Sequence, residues 1–129
     1  MNSPRKKILL VDDSPTAILW QRLMLEDEAY EILTATDGEE CVRVAKAERP
    51  DLVLLDVVMP RMDGFAALRA LRAETELRGL PVLMVTTRSE MANVMEGYEC
   101  GANEYITKPV DRSELITKVR SYLHQQEPV

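Results

Sequence analysis

The sequence has few aromatic residues and no long apolar run. Only 5% of its 129 residues are aromatic, so the core of the folded chain must be mainly aliphatic. No apolar stretch approaches the roughly 20 residues that a membrane-spanning helix needs. The run Ile8–Val11, which follows basic residues near the N-terminus, is too short for a secretory signal peptide. We therefore expect a cytoplasmic protein without a membrane partner.

The sequence also has few cysteines and fewer basic than acidic residues. Cys41 and Cys100 are the only cysteines, and their separation excludes a CxxC motif and a metal site built on thiols. We interpret both as small buried thiols in helices rather than as disulfide or redox groups. The formal net charge of −6 argues against direct binding to nucleic acid, which depends on basic patches.

The apolar residues that are present form short runs separated by helical patterns. Strand and helix patterns alternate five times without an internal linker, and 129 residues suit one domain. This predicts an α/β fold, a three-layer, doubly wound, five-stranded parallel sheet built from five βα units. We expect one domain over residues 1–129, with an ordered core from about residue 6 to residue 124 and no output domain. The predicted strands are Ile8–Val11, Glu31–Ala35, Leu52–Asp56, Val82–Val85 and Glu104–Thr107.

Helix-start signals follow each predicted strand. Small polar residues that cap helices, or a glycine or proline at the first turn, mark where each helix should begin. The last of these signals has the spacing of a capping box, with an acid three residues after the cap. The five signals are Ser14-Pro15, Asp37-Gly38, Asp63-Gly64, Ser89-Glu90 and Asp111 to Glu114.

Polar side chains stand where four of the strands end. The carboxyl ends of parallel strands meet at one edge of the sheet, so these side chains should share a shallow cleft. Clustered carboxylates repel each other by about 4 kcal/mol per pair at 4 Å separation and an effective dielectric constant of 20, which favours a bound cation. We therefore expect a site for a magnesium-bound phosphate. Its residues are Asp12, Asp13, Asp56, Thr86 and Lys108.

These motifs together resemble the receiver domain of two-component response regulators, over essentially the whole chain. The resemblance rests on Asp12-Asp13, on the loop from Asp56 to Gly64, on Thr86 and on Lys108-Pro109. Asp56 precedes Thr86 by 30 residues and Lys108 by 52, which also suits the family. The resemblance implies the flavodoxin-like strand order 2-1-3-4-5.

The resemblance also implies the role of each residue near the phosphate. Asp56 is expected to be the nucleophile that becomes an aspartyl phosphate. Mg²⁺ is expected to be bound by Asp13, Asp56 and the backbone carbonyl of Val58, with Asp12 acting through a bound water. Lys108 is expected to place its ammonium against the phosphoryl oxygens, and the peptide bond before Pro109 is expected to be cis.

A switch and a set of partners are implied as well. Thr86 is expected to donate its hydroxyl to the phosphoryl group, which vacates space into which Tyr105 swings. This would alter the face formed by the helix starting at Ser89, the fifth strand and the last helix. A histidine kinase is the expected donor, docking near the first helix and the loop after the fifth strand. The altered face would control an unidentified protein target, and the chain would be a monomer or a phosphorylation-dependent dimer.

Other interpretations remain open for single residues and for the whole chain. Asp12 and Asp13 could cap the first helix. Thr86 could be a polar residue at the end of a strand without a role in the site, and Tyr105 could be an ordinary edge-strand residue. The chain could be a non-phosphorylated interaction module, a phosphorelay shuttle, or the receiver portion of a longer regulator. A magnesium phosphohydrolase is the enzyme alternative, but it would need an acid two residues after the nucleophile, where Val58 stands, and a substrate cap. We therefore expect a switch that catalyses only its own phosphorylation and slow dephosphorylation.

The residues Val58, Thr87 and Arg88 are expected to tune the lifetime of the phosphoryl group. In receiver domains, Val58 and Arg88 border the path of the hydrolysing water, and the valine side chain cannot orient that water. We predict that the aspartyl phosphate of the wild type decays more slowly than that of a Val58→Asn/Arg88→Glu variant. Decay of radiolabelled protein measures both rates, and equal rates would contradict the prediction.

Overall fold

The chain forms a five-stranded parallel sheet with helices on both faces. The computed structural model describes residues 5–59, 62–87 and 98–124. The strand order is β2-β1-β3-β4-β5, which confirms the predicted fold class. The strands are β1 (Lys7–Val11), β2 (Glu31–Ala35), β3 (Leu52–Asp56), β4 (Val82–Thr86) and β5 (Glu104–Thr107). The helices are α1 (Pro15–Leu25), α2 (Gly38–Glu48), α3 (Gly64–Ala73) and α4 (Arg112–Leu123), with short 3-10 turns at Glu26–Glu28 and Thr75–Leu77.

The central strands are apolar throughout because both of their faces are covered. In β3, Val53 and Leu55 belong to the core cluster that also holds the buried side chains of α2 and α3. Leu52 and Leu54 belong to a second cluster on the opposite face, shared with α1 and α4. Successive side chains of a strand point to opposite faces, so a continuous apolar run serves two helix layers. This is the physical basis of the three-layer architecture.

The helices begin where the capping signals predict. Each cap side chain accepts a hydrogen bond from a backbone amide in the first turn, which satisfies one of the unpaired donors there. The capping box before α4 is half formed, because the carboxylate of Glu114 bonds to Lys118 Nζ at 2.9 Å. The four caps and their amides are Ser14 with Ala17, Asp37 with Glu40, Asp63 with Ala66, and Asp111 with Glu114.

The helix predicted to start at Ser89 lies mostly outside the described residues. Arg88, one of the residues expected to tune the phosphoryl lifetime, is outside them as well. Residues 98–100 are helical, and Ala102 is buried in the core cluster that also holds side chains of α2 and α3. The stretch before β5 therefore packs on the α3 side of the sheet.

The two cysteines are free thiols, as their spacing predicts. Cys41 is fully buried in α2, and burial, with a smaller contribution from Asp37, raises the pKa of its thiol to about 12. Cys100 is partly buried. Among the described residues, no helix combines the length and the apolarity needed to cross a membrane.

Arg72, at the end of α3, joins three segments of backbone. Its guanidinium donates to the carbonyl oxygens of Leu77 at 3.0 Å and Leu80 at 2.8 Å, ahead of β4. It also donates to the carbonyl of Gly101 at 2.7 Å and 3.2 Å, and to Asn103 Oδ1 at 3.0 Å, ahead of β5. Gly101 has a φ of 108°, a conformation that favours glycine. Arg72 therefore fixes where the chain enters both strands.

We predict that Arg72→Met lowers the free energy of unfolding by about 3 kcal/mol, because several carbonyl acceptors lose a charged donor. Urea denaturation followed by circular dichroism measures the change. Arg43→Met is the matched control, since Arg43 lies on the exposed side of α2 with one ion pair at 3.9 Å. The control should change stability by less than about 0.5 kcal/mol. Equal effects of the two substitutions would contradict the prediction.

Candidate metal and phosphate site

Three carboxylates meet at the carboxyl edge of the sheet. Asp12 and Asp13 follow β1, and Asp56 is the last residue of β3. Each offers an oxygen, and these oxygens all lie within 4.8 Å of one another. Asp12 is held in place because its backbone amide donates to the Ala35 carbonyl at 3.1 Å. The amide of Ser14 donates to Asp12 Oδ1 at 2.9 Å. The parallel register thus assembles the acidic cluster predicted from sequence.

Lys108 supplies the positive charge of the site. Its Nζ lies 3.2 Å from Asp56 Oδ1 and 3.6 Å from Asp12 Oδ2. Its backbone amide donates to the carbonyl of Thr86, which ties the loop after β5 to the end of β4. The peptide bond between Lys108 and Pro109 is cis, as expected. Burial lowers the pKa of Lys108, but the two carboxylates outweigh it and raise the pKa above its ordinary value. Lys108 is therefore a fixed cation.

Asp56 is buried, with 5% of its surface exposed. Burial is the largest influence on its carboxyl and, together with the charge of Asp12, raises the pKa from 3.8 to about 6. Lys108 and the backbone amide of Val58 act in the opposite direction. The excess negative charge of the cluster is thus compensated only in part by the protein's own groups.

The acidic cluster suits a magnesium ion. Asp12 Oδ2 is buried and has no hydrogen-bond partner in the part of the chain that the structure describes. Its distance of 3.6 Å from Lys108 Nζ is too long for a hydrogen bond. Magnesium prefers oxygen ligands and keeps several waters, so it needs only one or two carboxylates from the protein. Asp13 and Asp56 would contact the ion, and Asp12 Oδ2 would accept from a water on it.

The residues expected to form the switch lie in β4 and β5, the two strands that follow β3 across the sheet. Thr86 is buried at the end of β4, and its hydroxyl donates to the Thr87 carbonyl at 3.3 Å. Tyr105 is already turned inward with 6% exposure, and its ring contacts that of Tyr98 edge to face at 5.2 Å. Val58, two residues after Asp56, has an apolar side chain and is 57% exposed. The tuning role of Val58 and Thr87 and the switch role of Tyr105 stay predictions.

Sequence reasoning missed two supports of the site. The Ser14 amide orients Asp12, although Ser14 was predicted only as a helix cap. At Gly64, a Cβ atom would overlap the Asp56 carbonyl oxygen, so the glycine lets α3 approach the backbone of Asp56. A glycine eight residues after a strand-end acid was the available signal, but its close approach to β3 depends on tertiary packing.

Comparison with known proteins identifies relatives along almost the whole chain. A family model described as the response regulator receiver domain matches residues 8–120. Protein PilH of Pseudomonas aeruginosa is 40% identical over 117 residues, which cover 91% of this chain and 97% of that protein. Several other relatives are transcriptional regulators, and the chain spans about half of their length.

Two solved structures have the same fold. The chemotaxis protein CheY4 of Vibrio cholerae superposes with a TM-score of 0.87 and 33% identity, covering 93% of this chain and 100% of that chain. The receiver domain of the sensor histidine kinase PA1611 of Pseudomonas aeruginosa superposes with a TM-score of 0.85 and 30% identity, covering 92% and 98%. The latter structure holds a magnesium ion in its active-site cleft.

We predict that Asp56→Asn stabilises the metal-free protein at neutral pH. A pKa of about 6 in place of 3.8 means that the folded state prefers the protonated carboxyl, so ionised Asp56 opposes folding. The variant should gain on the order of 2 kcal/mol above pH 6, and the gain should vanish as the pH falls below about 4. Urea denaturation in EDTA across this pH range measures it.

Two controls separate this effect from a general loss of acidic charge. Asp27→Asn removes a carboxylate that is 77% exposed and should change stability by less than about 0.5 kcal/mol. Addition of Mg²⁺ should stabilise the wild type more than Asp56→Asn, because the ion compensates the same repulsion. If Asp56→Asn were less stable than the wild type at neutral pH in EDTA, the prediction would be contradicted.

Proposed function

Because the chain belongs to the response regulator receiver domain family, we propose that it is a phosphorylation-controlled switch whose phosphoacceptor is Asp56. The observation that carries the proposal is the buried Asp56 carboxylate, within 4.8 Å of two further acids and 3.2 Å from the Lys108 ammonium. A nucleophile, a metal-binding cluster and a cation for the phosphoryl oxygens then occupy one cleft.

The proposed step transfers a phosphoryl group from a histidine kinase. An oxygen of the ionised Asp56 carboxylate attacks phosphorus, and the O–P bond forms as the P–N bond to the donor imidazole breaks. The bonding pair stays on the imidazole nitrogen, and the ring leaves neutral because its other nitrogen carries a proton. With acetyl phosphate as donor, acetate leaves with the electron pair of the broken P–O bond.

The chain's own residues have distinct tasks in this step. Lys108 pairs with the phosphoryl oxygens, which bring more negative charge into a cleft already rich in it. Thr86 donates its hydroxyl to one of these oxygens, giving up its bond to the Thr87 carbonyl at 3.3 Å. Mg²⁺, when bound at Asp13 and Asp56, supplies the positive charge that lets a carboxylate approach a phosphoryl group.

The proposed output is a change on the face formed by residues 98–103, β5 and α4. On this face, Lys118 Nζ donates to the Tyr105 carbonyl at 2.8 Å, and the Tyr122 hydroxyl donates to the Asn103 carbonyl at 3.0 Å. These bonds fix the backbone of β5, so a response to phosphorylation involves the Tyr105 side chain and its partner Tyr98. A protein target would read that difference, and a second copy of the chain could use the same face.

The proposed kinase contact is the outer surface of α1. Leu19, Trp20 and Leu23 are 55%, 57% and 45% exposed, an unusual concentration of large apolar side chains on one short helix. The helix follows the Asp12-Asp13 loop, so a donor that docks there brings its phosphohistidine to the cleft. The acidic net charge and the charge pattern offer no basis for direct binding to nucleic acid.

We propose a switch rather than an enzyme that turns over substrates. Val58 occupies the position where a phosphohydrolase of the aspartate type would need its second acid. The proposal fits both a regulator of the length of PilH, which the chain covers to 97%, and a longer regulator of which the chain would be the receiver portion. A cytoplasmic location is part of the proposal, since a histidine kinase presents its phosphoryl group there.

We predict one magnesium-dependent phosphoryl adduct when the protein is incubated with acetyl phosphate. Intact mass spectrometry should detect it on the wild type with Mg²⁺, and neither in EDTA nor on Asp56→Asn. Asp27→Asn, the exposed acid-to-amide control, should be phosphorylated like the wild type.

The other outcomes distinguish the alternatives. No adduct on folded wild type would refute the switch and support a non-phosphorylated interaction module. Phosphate release from small esters far beyond one equivalent, dependent on Asp56, would support a phosphohydrolase instead.

A further inference from the structure

Gly38, the first residue of α2, lies in direct contact with Met62, which precedes α3. It is buried, and a Cβ atom added there would lie 2.7 Å from the Met62 carbonyl oxygen. The same atom would lie 2.8 Å and 2.9 Å from Cγ and Cβ of that methionine. Carbon atoms that are not bonded to each other normally lie about 3.5–4.0 Å apart. The φ of Gly38 is not positive, so this close approach, rather than the backbone conformation, calls for glycine.

The start of α2 is held from the side of β2. The Glu40 carboxylate accepts hydrogen bonds from the amide of Thr36 at 2.7 Å and from its hydroxyl at 3.0 Å. The carbonyl of Ala35, one residue earlier, accepts from the Asp12 amide at 3.1 Å. Because these bonds fix the chain that enters α2, an added Cβ atom would displace the segment ahead of α3 rather than α2.

The segment ahead of α3 is in turn bonded to the peptide next to Asp56. Gly64, two residues after Met62, donates its amide to the Val57 carbonyl at 2.9 Å. That carbonyl belongs to the same peptide unit as the Val58 amide, which donates to the Asp56 carboxylate. A shift of Met62 would therefore reach, through Gly64, the peptide unit that supports the Asp56 carboxylate.

We propose that Gly38 is a positioning residue of the phosphorylation site. Its lack of a side chain lets Met62 pack where the peptide between Val57 and Val58 stays aligned with the Asp56 carboxylate. This inference rests on the proposed function, in which Asp56 binds Mg²⁺, and the Val58 carbonyl is an expected ligand as well. Loss of a group that orients metal ligands typically weakens metal binding by about 10-fold to 100-fold. A larger residue at position 38 should therefore weaken the binding of Mg²⁺.

Isothermal titration calorimetry of the chain with MgCl₂, without a phosphoryl donor, tests the proposal. Gly38→Ala should bind Mg²⁺ about tenfold more weakly than the wild type, which corresponds to about 1.4 kcal/mol. Gly79→Ala is the matched control, because no atom of the described residues lies within 4 Å of a Cβ atom added there. This control should bind Mg²⁺ with the affinity of the wild type.

Two further variants separate positioning from a general loss of stability. Arg72→Met should destabilise the fold at the opposite edge of the sheet, ahead of β4 and β5, and bind Mg²⁺ like the wild type while folded. Met62→Ala disturbs the contact with Gly38 from the other side and cannot introduce an overlap. It should weaken Mg²⁺ binding beyond the range of the two controls. The double variant Gly38→Ala/Met62→Ala should bind no more weakly than Gly38→Ala, because both changes affect one contact.

Unchanged Mg²⁺ affinity in Gly38→Ala, or an equal loss of affinity in Arg72→Met, would overturn the proposal. If Gly38→Ala does not fold, Met62→Ala decides the question, and unchanged binding by that variant would overturn the proposal as well. No saturable binding of Mg²⁺ by the wild type would refute the metal site and the proposal together.

The proposed function fails by a different result. If no form accepts a phosphoryl group from acetyl phosphate while the Mg²⁺ affinities follow the expected order, phosphorylation of Asp56 is refuted. The role of Gly38 in positioning the metal ligands would then stand.

Discussion

An imbalance of charge in one cleft is the constraint on which the rest of the molecule depends. Three carboxylates have oxygens within 4.8 Å of each other, and among the described residues the Lys108 ammonium lies 3.2 Å from Asp56 and 3.6 Å from Asp12. Burial raises the pKa of Asp56 most and the charge of Asp12 adds to it, while Asp12 Oδ2 has no hydrogen-bond partner among the described residues. A divalent cation would reduce this excess of negative charge, and an incoming phosphoryl group would increase it. A site so far from neutrality responds strongly to either, which is the property that a switch requires.

Around this cleft the backbone is held by bonds from side chains distant in sequence. Arg72 ties the end of α3 to the segments ahead of β4 and β5, and Gly64 lets α3 pack against the backbone of Asp56. Lys118 fixes the carbonyl of Tyr105 from α4. The strands therefore form a stiff frame, while the groups expected to respond to phosphorylation are side chains such as Thr86 and Tyr105. A local change of charge can then produce a defined surface change without unfolding.

The fold and the cleft were predictable from sequence because each has a local signature. The strand bounds followed from apolar runs such as Leu52–Leu55, and the helix starts followed from caps such as Ser14 and Asp63. Asp56 and Lys108 could be assigned because parallel strands deliver their ends to one edge. The five hydrogen bonds that Arg72 donates have no such signature, since an arginine at the end of a helix is common. The inward position of Tyr105 depends on Tyr98 and the core beneath it, which no local pattern encodes.

The hydrogen bonds from α4 to the backbone of β5 and of the residue before it also affect whether copies of the protein aggregate in a crowded solution. β5 is the last strand of the sheet, and the outer edge of such a strand can recruit another chain by backbone pairing. The Tyr105 carbonyl accepts a hydrogen bond from Lys118 Nζ. The Asn103 carbonyl, just before the strand, accepts one from the Tyr122 hydroxyl. A foreign strand would have to displace an ammonium and a phenol before it could add to the sheet. The same contacts that fix the backbone of β5 thus hinder edge-to-edge aggregation.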